Sequence, residues 1–113
     1  MIYGRRKYGN QKTEVSGKLF DSKKEGKRYA ELRLLERAGE ISDLQTQVPF
    51  ELIPAQRDEN GRLLEKSVVY RADFTYMKGG QFVVEDAKGY RTDTYVLKRK
   101  LMLKVHGIRI LET

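Results

Sequence analysis

Three residues in this chain are of a kind and spacing that could do chemistry together: Asp73, Asp86 and Lys88. Gly79-Gly80 lies between the two acids. A two-residue Gly-Gly loop suits a type I′ hairpin turn, because glycine tolerates positive φ at both central positions. Such a turn places Lys78 opposite Gln81, and counting outward from that pair puts Asp73 directly opposite Asp86. A three-residue loop would shift this register by one. Directly opposed residues have Cβ atoms roughly 4.5–5.5 Å apart, where two like charges destabilise a sheet. A divalent cation between them turns repulsion into coordination. Asp86 and Lys88 are two apart on the expected strand and so share a face, while Glu85 points to the other. Val83 and Phe82 are on opposite faces too, which predicts a strand covered on both sides.

The ligand chemistry is bounded by composition. Cysteine is absent and His106 is the one histidine. Thiolate sites and His-rich zinc sites are thereby excluded, and oxygen ligands favour Mg²⁺, Mn²⁺ or Ca²⁺. Hydrolysis of a phosphodiester needs an activated water and a stabilised, negatively charged phosphorus centre. A cation held by carboxylates serves both needs, and a lysine beside the phosphate can orient the water and offset charge.

The elements that must position these groups follow from the pattern of the chain. Ser22 and Glu25 form a capping box opening a helix over 23–38, with Phe20 as a staple. Tyr29, Leu32, Leu35 and Ala38 make its apolar stripe, and Gly39 stops it. Alternation over 46–53 predicts a strand, and Pro49 suits an edge. Asn60-Gly61 marks a tight turn. Strands are expected over 68–77 and 81–88, then a helix over 94–105 capped by Thr92 or Asp93, then a short strand over 108–111. His106 at that helix's end is read as a C-terminal cap, not a catalytic base. The expected order is α-β-β-β-α-β, in one domain over residues 19–113.

Residues 1–18 read as a basic, flexible arm. Arg5, Arg6, Lys7, Lys12 and Lys18 stand there against one acid, Glu14, with Tyr3 and Tyr8 interleaved. A second basic segment runs over 88–109 and includes Arg91, Arg99 and Lys104. The net charge of +7 and pI near 9.7 favour a polyanionic partner. DNA contact is expected of Arg5, Arg6, Lys7, Lys12, Arg91 and Arg99, against the plainer reading of the arm as a solubilising tail. No run of 18 apolar residues and no signal-peptide pattern occurs, so no membrane role and a cytoplasmic location are expected.

The segments Tyr70-Arg71-Ala72-Asp73-Phe74 and Asp86-Ala87-Lys88-Gly89, with twelve residues between Asp73 and Asp86, resemble the PD-(D/E)XK nuclease superfamily. Lys7-Tyr8-Gly9-Asn10, Phe20 to Glu25, Arg28 to Leu32 and Thr92 to Lys100 extend the resemblance to a family of small phage and prophage proteins over nearly the full chain. It implies an α/β (α+β) fold with a restriction-endonuclease-like core, a mixed central sheet flanked by helices. It also implies a Mg²⁺- or Mn²⁺-dependent endonuclease, structure-specific on branched DNA in the manner of Holliday junction resolvases. A homodimer follows, since one site per chain cuts one strand. A phage-encoded protein of this kind would act in the host cytoplasm.

The resemblance also implies a third metal ligand on the first helix, where Glu25 stands, although the capping box explains that residue as well. Glu85 replaces Asp86 if a bulge shifts the strand, and otherwise supports a neighbouring base. Lys98 is the support expected from the second helix, then Lys100 or Tyr95, with a solvated basic face and a core tyrosine as the plainer reading. Gln47 or Gln45 stands near enough to the first strand's apolar run to support the site. Nicking or flap cleavage, a non-enzymatic nucleic-acid-binding protein with a nuclease-like fold, and a module binding an acidic protein are the competing functions.

Overall fold

Helix α1 (Lys23–Arg37) begins at the expected cap: Ser22 is extended and its side chain accepts from the Glu25 N–H at 3.2 Å. The computed structural model describes residues 12–15 and 17–113. Ahead of α1, β1 (Thr13–Val15) and β2 (Lys18–Phe20) form a small antiparallel hairpin. This hairpin takes in residues that the sequence assigned to the arm, because Val15 and Phe20 pack into the core beside α1. Gly26 permits the approach: a Cβ there would meet side-chain atoms of Thr13 and Val15 at 3.1 Å. Tyr3, Tyr8, Arg5, Arg6 and Lys7 lie outside the described residues.

Four strands form the main sheet, in the order β3-β6-β7-β8. Strands β3 (Ser42–Ile53), β6 (Val68–Lys78) and β7 (Gln81–Asp86) run antiparallel to their neighbours. Strand β8 (Leu111–Glu112) pairs parallel with β7, so the sheet is mixed. That parallel return requires a crossover, supplied by α2 (Asp93–Leu101) and a π-helical turn over Met102–His106. Pro49 sits on β3, an edge strand, as its missing N–H demands. Between β3 and β6, β4 (Gln56–Arg57) and β5 (Leu63–Glu65) make a second hairpin whose side chains are exposed apart from the half-buried Asp58 in its turn. The chain is thus a mixed α+β domain with helices on both sides of a mixed sheet.

The boundaries differ from expectation in three places. Strand β7 ends at Asp86, two residues short of Lys88. The last strand is Leu111–Glu112, not 108–111, because Ile108 and Ile110 pack against the α2 core instead of pairing. The second helix leaves α geometry after Leu101.

Two cores flank the sheet. On the α1 side Phe20, Tyr29, Leu32, Ile41, Phe74 and Tyr76 cluster. On the α2 side Leu52, Tyr70, Ala72, Val84, Tyr95 and Met102 cluster. Strand β7 alternates cleanly between them, with Val83 toward α1 and Val84 toward α2. Strand β6 does not: Ala72 and Phe74 are two apart, yet they belong to different cores. Strand β3 makes the same exchange, with Leu44 on the α1 side and Phe50 and Leu52 on the other. At the crossing stands Gln47, with φ of 55°, a left-handed value uncommon outside glycine. Thr46 pairs with Phe74 and Val48 with Ala72, while Gln47 and Asp73 between them form no ladder pair. The sheet changes faces at Asp73.

Candidate metal centre

The β6–β7 turn sets the site's register. Gly79 and Gly80 have φ of 56° and 79°, as a type I′ turn needs. Lys78 pairs with Gln81, and the ladder runs without a slip to Phe74 opposite Glu85. Asp73 and Asp86 are the next residues outward, and Asp86 faces the α2 side with Tyr70. Asp86 is only 2% exposed. The Tyr70 hydroxyl donates to its Oδ2 at 2.6 Å, and its Oδ1 is buried without a hydrogen-bond partner. Asp73 accepts from the Ala87 N–H at 2.9 Å. Burial first, then the neighbouring Asp86 and Glu25 charges, push the Asp73 carboxyl up to about 8.

Glu25 reaches the same neighbourhood from α1. Its backbone N–H serves the cap, but its carboxylate accepts from Gln47 Nε2 at 2.9 Å. The side chain is therefore turned toward the break in β3. Burial, then the charges of Asp21 and Asp86, raise Glu25 to about 7, against the opposing pull of Gln47 and Lys88. Gln47 is held in turn at its carbonyl, which accepts from Arg71 at 3.3 Å.

Lys88 places its ammonium 3.6 Å from Asp86 Oδ1 and 4.7 Å from the centre of the Tyr95 ring. Because β7 has ended, pleat parity does not put it there. The turn after Asp86 and the cation–π contact do, with Lys24 Nζ donating to the Lys88 carbonyl at 3.0 Å.

Do these groups suit a divalent cation? Among the described residues no three acidic or imidazole groups are already closed to metal-ligand spacing. What is present is a buried oxygen lacking a hydrogen-bond partner, two carboxyls, Asp73 and Glu25, whose proton affinity is raised by burial first and neighbouring acids second, and a purely oxygen donor set. Each is a cost that a hard cation would relieve. Asp73, Asp86 and Glu25 are the oxygen donors here that could hold such an ion.

The other expected residues divide clearly. Glu85 is fully buried, but on the α1 side, where it binds the Arg28 guanidinium through both oxygens and accepts from Tyr76 and Thr113. It is a structural acid and does not join the cluster. Gln47 joins it through Glu25, whereas Gln45 hydrogen-bonds to Asp43. Tyr95 joins it beneath Lys88, as part of the core. Among the described residues, no side-chain hydrogen bond or ion pair ties Lys98 or Lys100 to it. Arg91 and Arg99 are both paired with Glu112, at 2.8 and 3.1 Å, and Tyr95 donates to the same carboxylate. These contacts hold Glu112 down to about 2, and they occupy two cations expected to meet DNA. Lys12 pairs with Asp21 at 2.8 Å. His106 is bonded to the Glu51 carbonyl and packs on Phe50, away from the acids.

Tyr70 was invisible to sequence reasoning. Strict alternation puts it on the face opposite Asp73; only the change of faces at Asp73 carries its hydroxyl to Asp86.

A mixed sheet between two helices, with a half-closed cluster of acids where its strands change faces, is the class that fold and site define. Residues 5–110 match the family model described as "Protein of unknown function (DUF1064)", and the chain belongs to that family. No curated protein and no solved structure matches it significantly.

Proposed function

We propose that this protein is a metal-dependent endonuclease of the PD-(D/E)XK type that hydrolyses phosphodiester bonds in DNA, with branched DNA as its substrate and a homodimer as its working form. The observation that carries the reading is Asp73 and Asp86, the residues next beyond the Phe74–Glu85 pair of the Gly79-Gly80 hairpin, with a buried Asp86 oxygen that has no hydrogen-bond partner. The arrangement of β3, β6 and β7 between α1 and α2 supports it, as do the charge of +7 and the resemblance of the two acidic segments.

Asp73, Asp86 and Glu25 would hold Mg²⁺ or Mn²⁺. When bound, the cation supplies activation of water and neutralisation of charge on phosphorus. The chain's own groups do the rest. Tyr70 fixes one Asp86 oxygen, and the Ala87 N–H fixes one oxygen of Asp73. Gln47 orients Glu25. Lys88, steadied between Asp86 and the Tyr95 ring, is placed to donate to a phosphate oxygen and to orient the attacking water.

The test is a cleavage panel of four-way junction, flap, duplex, single-strand and RNA substrates, with Mg²⁺, Mn²⁺, Ca²⁺ or EDTA. Cleavage of branched DNA with Mg²⁺ or Mn²⁺, abolished in Asp73→Ala, Asp86→Ala and Lys88→Ala while DNA binding survives, is the expected result. Folded wild-type protein that binds DNA yet cuts nothing with any metal would sink the enzyme reading and leave a binding protein on a nuclease-like fold.

A further inference from the structure

Beside the end of β7, on the side away from Asp86, lies an open cleft of about 260 Å³ lined by Lys24, Lys27, Arg28, Glu31, Ala87 and Thr113. Its charges are unequal in availability. Arg28 is committed to Glu85 and Glu31, and Glu31 is committed to Arg28 at 3.1 Å. Lys24 and Lys27 are exposed, and among the described residues neither has a carboxylate partner. Two uncompensated ammonium groups therefore border one concave surface. Arg91 and Arg99, by contrast, share the Glu112 carboxylate.

The cleft is coupled to the acid pair by two backbone contacts. Ala87, which lines it, donates its N–H to Asp73. Lys24 holds the carbonyl of Lys88, whose ammonium stands beside Asp86. A chain of phosphates laid across the end of β7 would meet Lys88 and then the Lys24 and Lys27 side chains.

We infer that this cleft is a backbone-phosphate subsite, in which Lys27 and Lys24 bind a phosphate of the DNA strand next to the one presented to Lys88. The inference rests on the nuclease reading for its ligand, and it assigns positioning of the strand to α1. Phosphate contacts fix register on nucleic acid without reading sequence. Each one lost flattens the dependence of log affinity on log salt by about 0.9 for duplex DNA.

The experiment is fluorescence anisotropy with a labelled duplex and a labelled four-way junction, in EDTA, over a range of NaCl concentrations. Wild type, Lys27→Ala, Lys24→Ala and Lys78→Ala are compared, and thermal melts confirm that each is folded. Lys78 is exposed at the Gly79-Gly80 turn, at the other end of the hairpin from the acids, and removes the same charge. Lys27→Ala is expected to bind several-fold more weakly at moderate salt, with a slope flatter by about 0.9, while Lys78→Ala keeps the wild-type slope. An unchanged slope in Lys27→Ala, or equal flattening in Lys78→Ala, overturns the subsite and leaves the nuclease reading standing. Wild-type protein that binds neither DNA overturns both.

Discussion

Asp73 and Glu25 hold their protons more tightly in the folded protein than a solvated carboxyl would, at about 8 and about 7. The sign of the consequence follows from linkage. A raised carboxyl contributes stability that is fully present below about pH 4, the ordinary carboxyl range. That contribution is lost as pH rises through about 7 for Glu25 and about 8 for Asp73. Metal-free protein is therefore expected to melt at progressively lower temperature as pH climbs across that window. Asp73→Asn should flatten the decline and melt higher than wild type above about pH 8. Mg²⁺ should restore the wild type there, since a ligand bound only by the folded state stabilises it. A wild-type melting temperature that does not fall with pH in EDTA would refute close opposition of the acids. The sequence located this pair through the turn alone, since Gly79-Gly80 admits one common register. It did not locate Tyr70, because its position on β6 argues for the wrong face.

At the scale of elements, α1 is tied to the sheet by the Arg28–Glu85 pair, with Tyr76 completing the Glu85 oxygens at 2.6 Å. Burial and this carboxylate raise the Tyr76 hydroxyl to about 12. Breaking a buried pair strands the remaining charge and costs about 3–5 kcal/mol; Arg28 is partly exposed, which argues for the lower end. Arg28→Ala should thus lower denaturant stability by about 3 kcal/mol, measured by urea unfolding, whereas Arg37→Ala, exposed at the end of α1, should lose much less. Equal losses would show that Glu85 is adequately held by Tyr76 and Thr113 alone. The helix itself was legible, from Ser22 through its stripe of Tyr29 and Leu32. Its second attachment was not, because nothing local to Arg28 or Glu85 signals a partner 57 positions away.

Across the whole molecule, the charge of +7 is spread less freely than the sequence suggests. Arg91 and Arg99 share Glu112, Lys12 pairs with Asp21, and Arg28 pairs with Glu85 and Glu31. Lys24 and Lys27 on α1 are left as open cations beside the site. The β4–β5 hairpin leaves Leu63 and Leu64 exposed and packs no residue into either core. Replacing Gln56–Glu65 with a short turn should leave the melting temperature of the domain nearly unchanged; a large fall would mean that this hairpin stabilises the fold through contacts with another copy. Sedimentation equilibrium then tests the dimer directly. A monomer at working concentration favours nicking over paired cleavage of a junction.

By itself the sequence determined the succession of α1, the four strands of the main sheet and α2, though not the two small hairpins, together with the cap of α1, the edge position of Pro49 and the register of the β6–β7 hairpin. All of these follow from local periodicity, turn geometry and the missing proline N–H. Only the tertiary structure decided that Glu25 turns from its cap toward Gln47, that Glu85 belongs to α1, and that Tyr70 reaches Asp86. Each depends on the change of faces at Gln47 and Asp73 or on how α1 docks, and a period-two pattern carries no record of where a sheet departs from its own alternation.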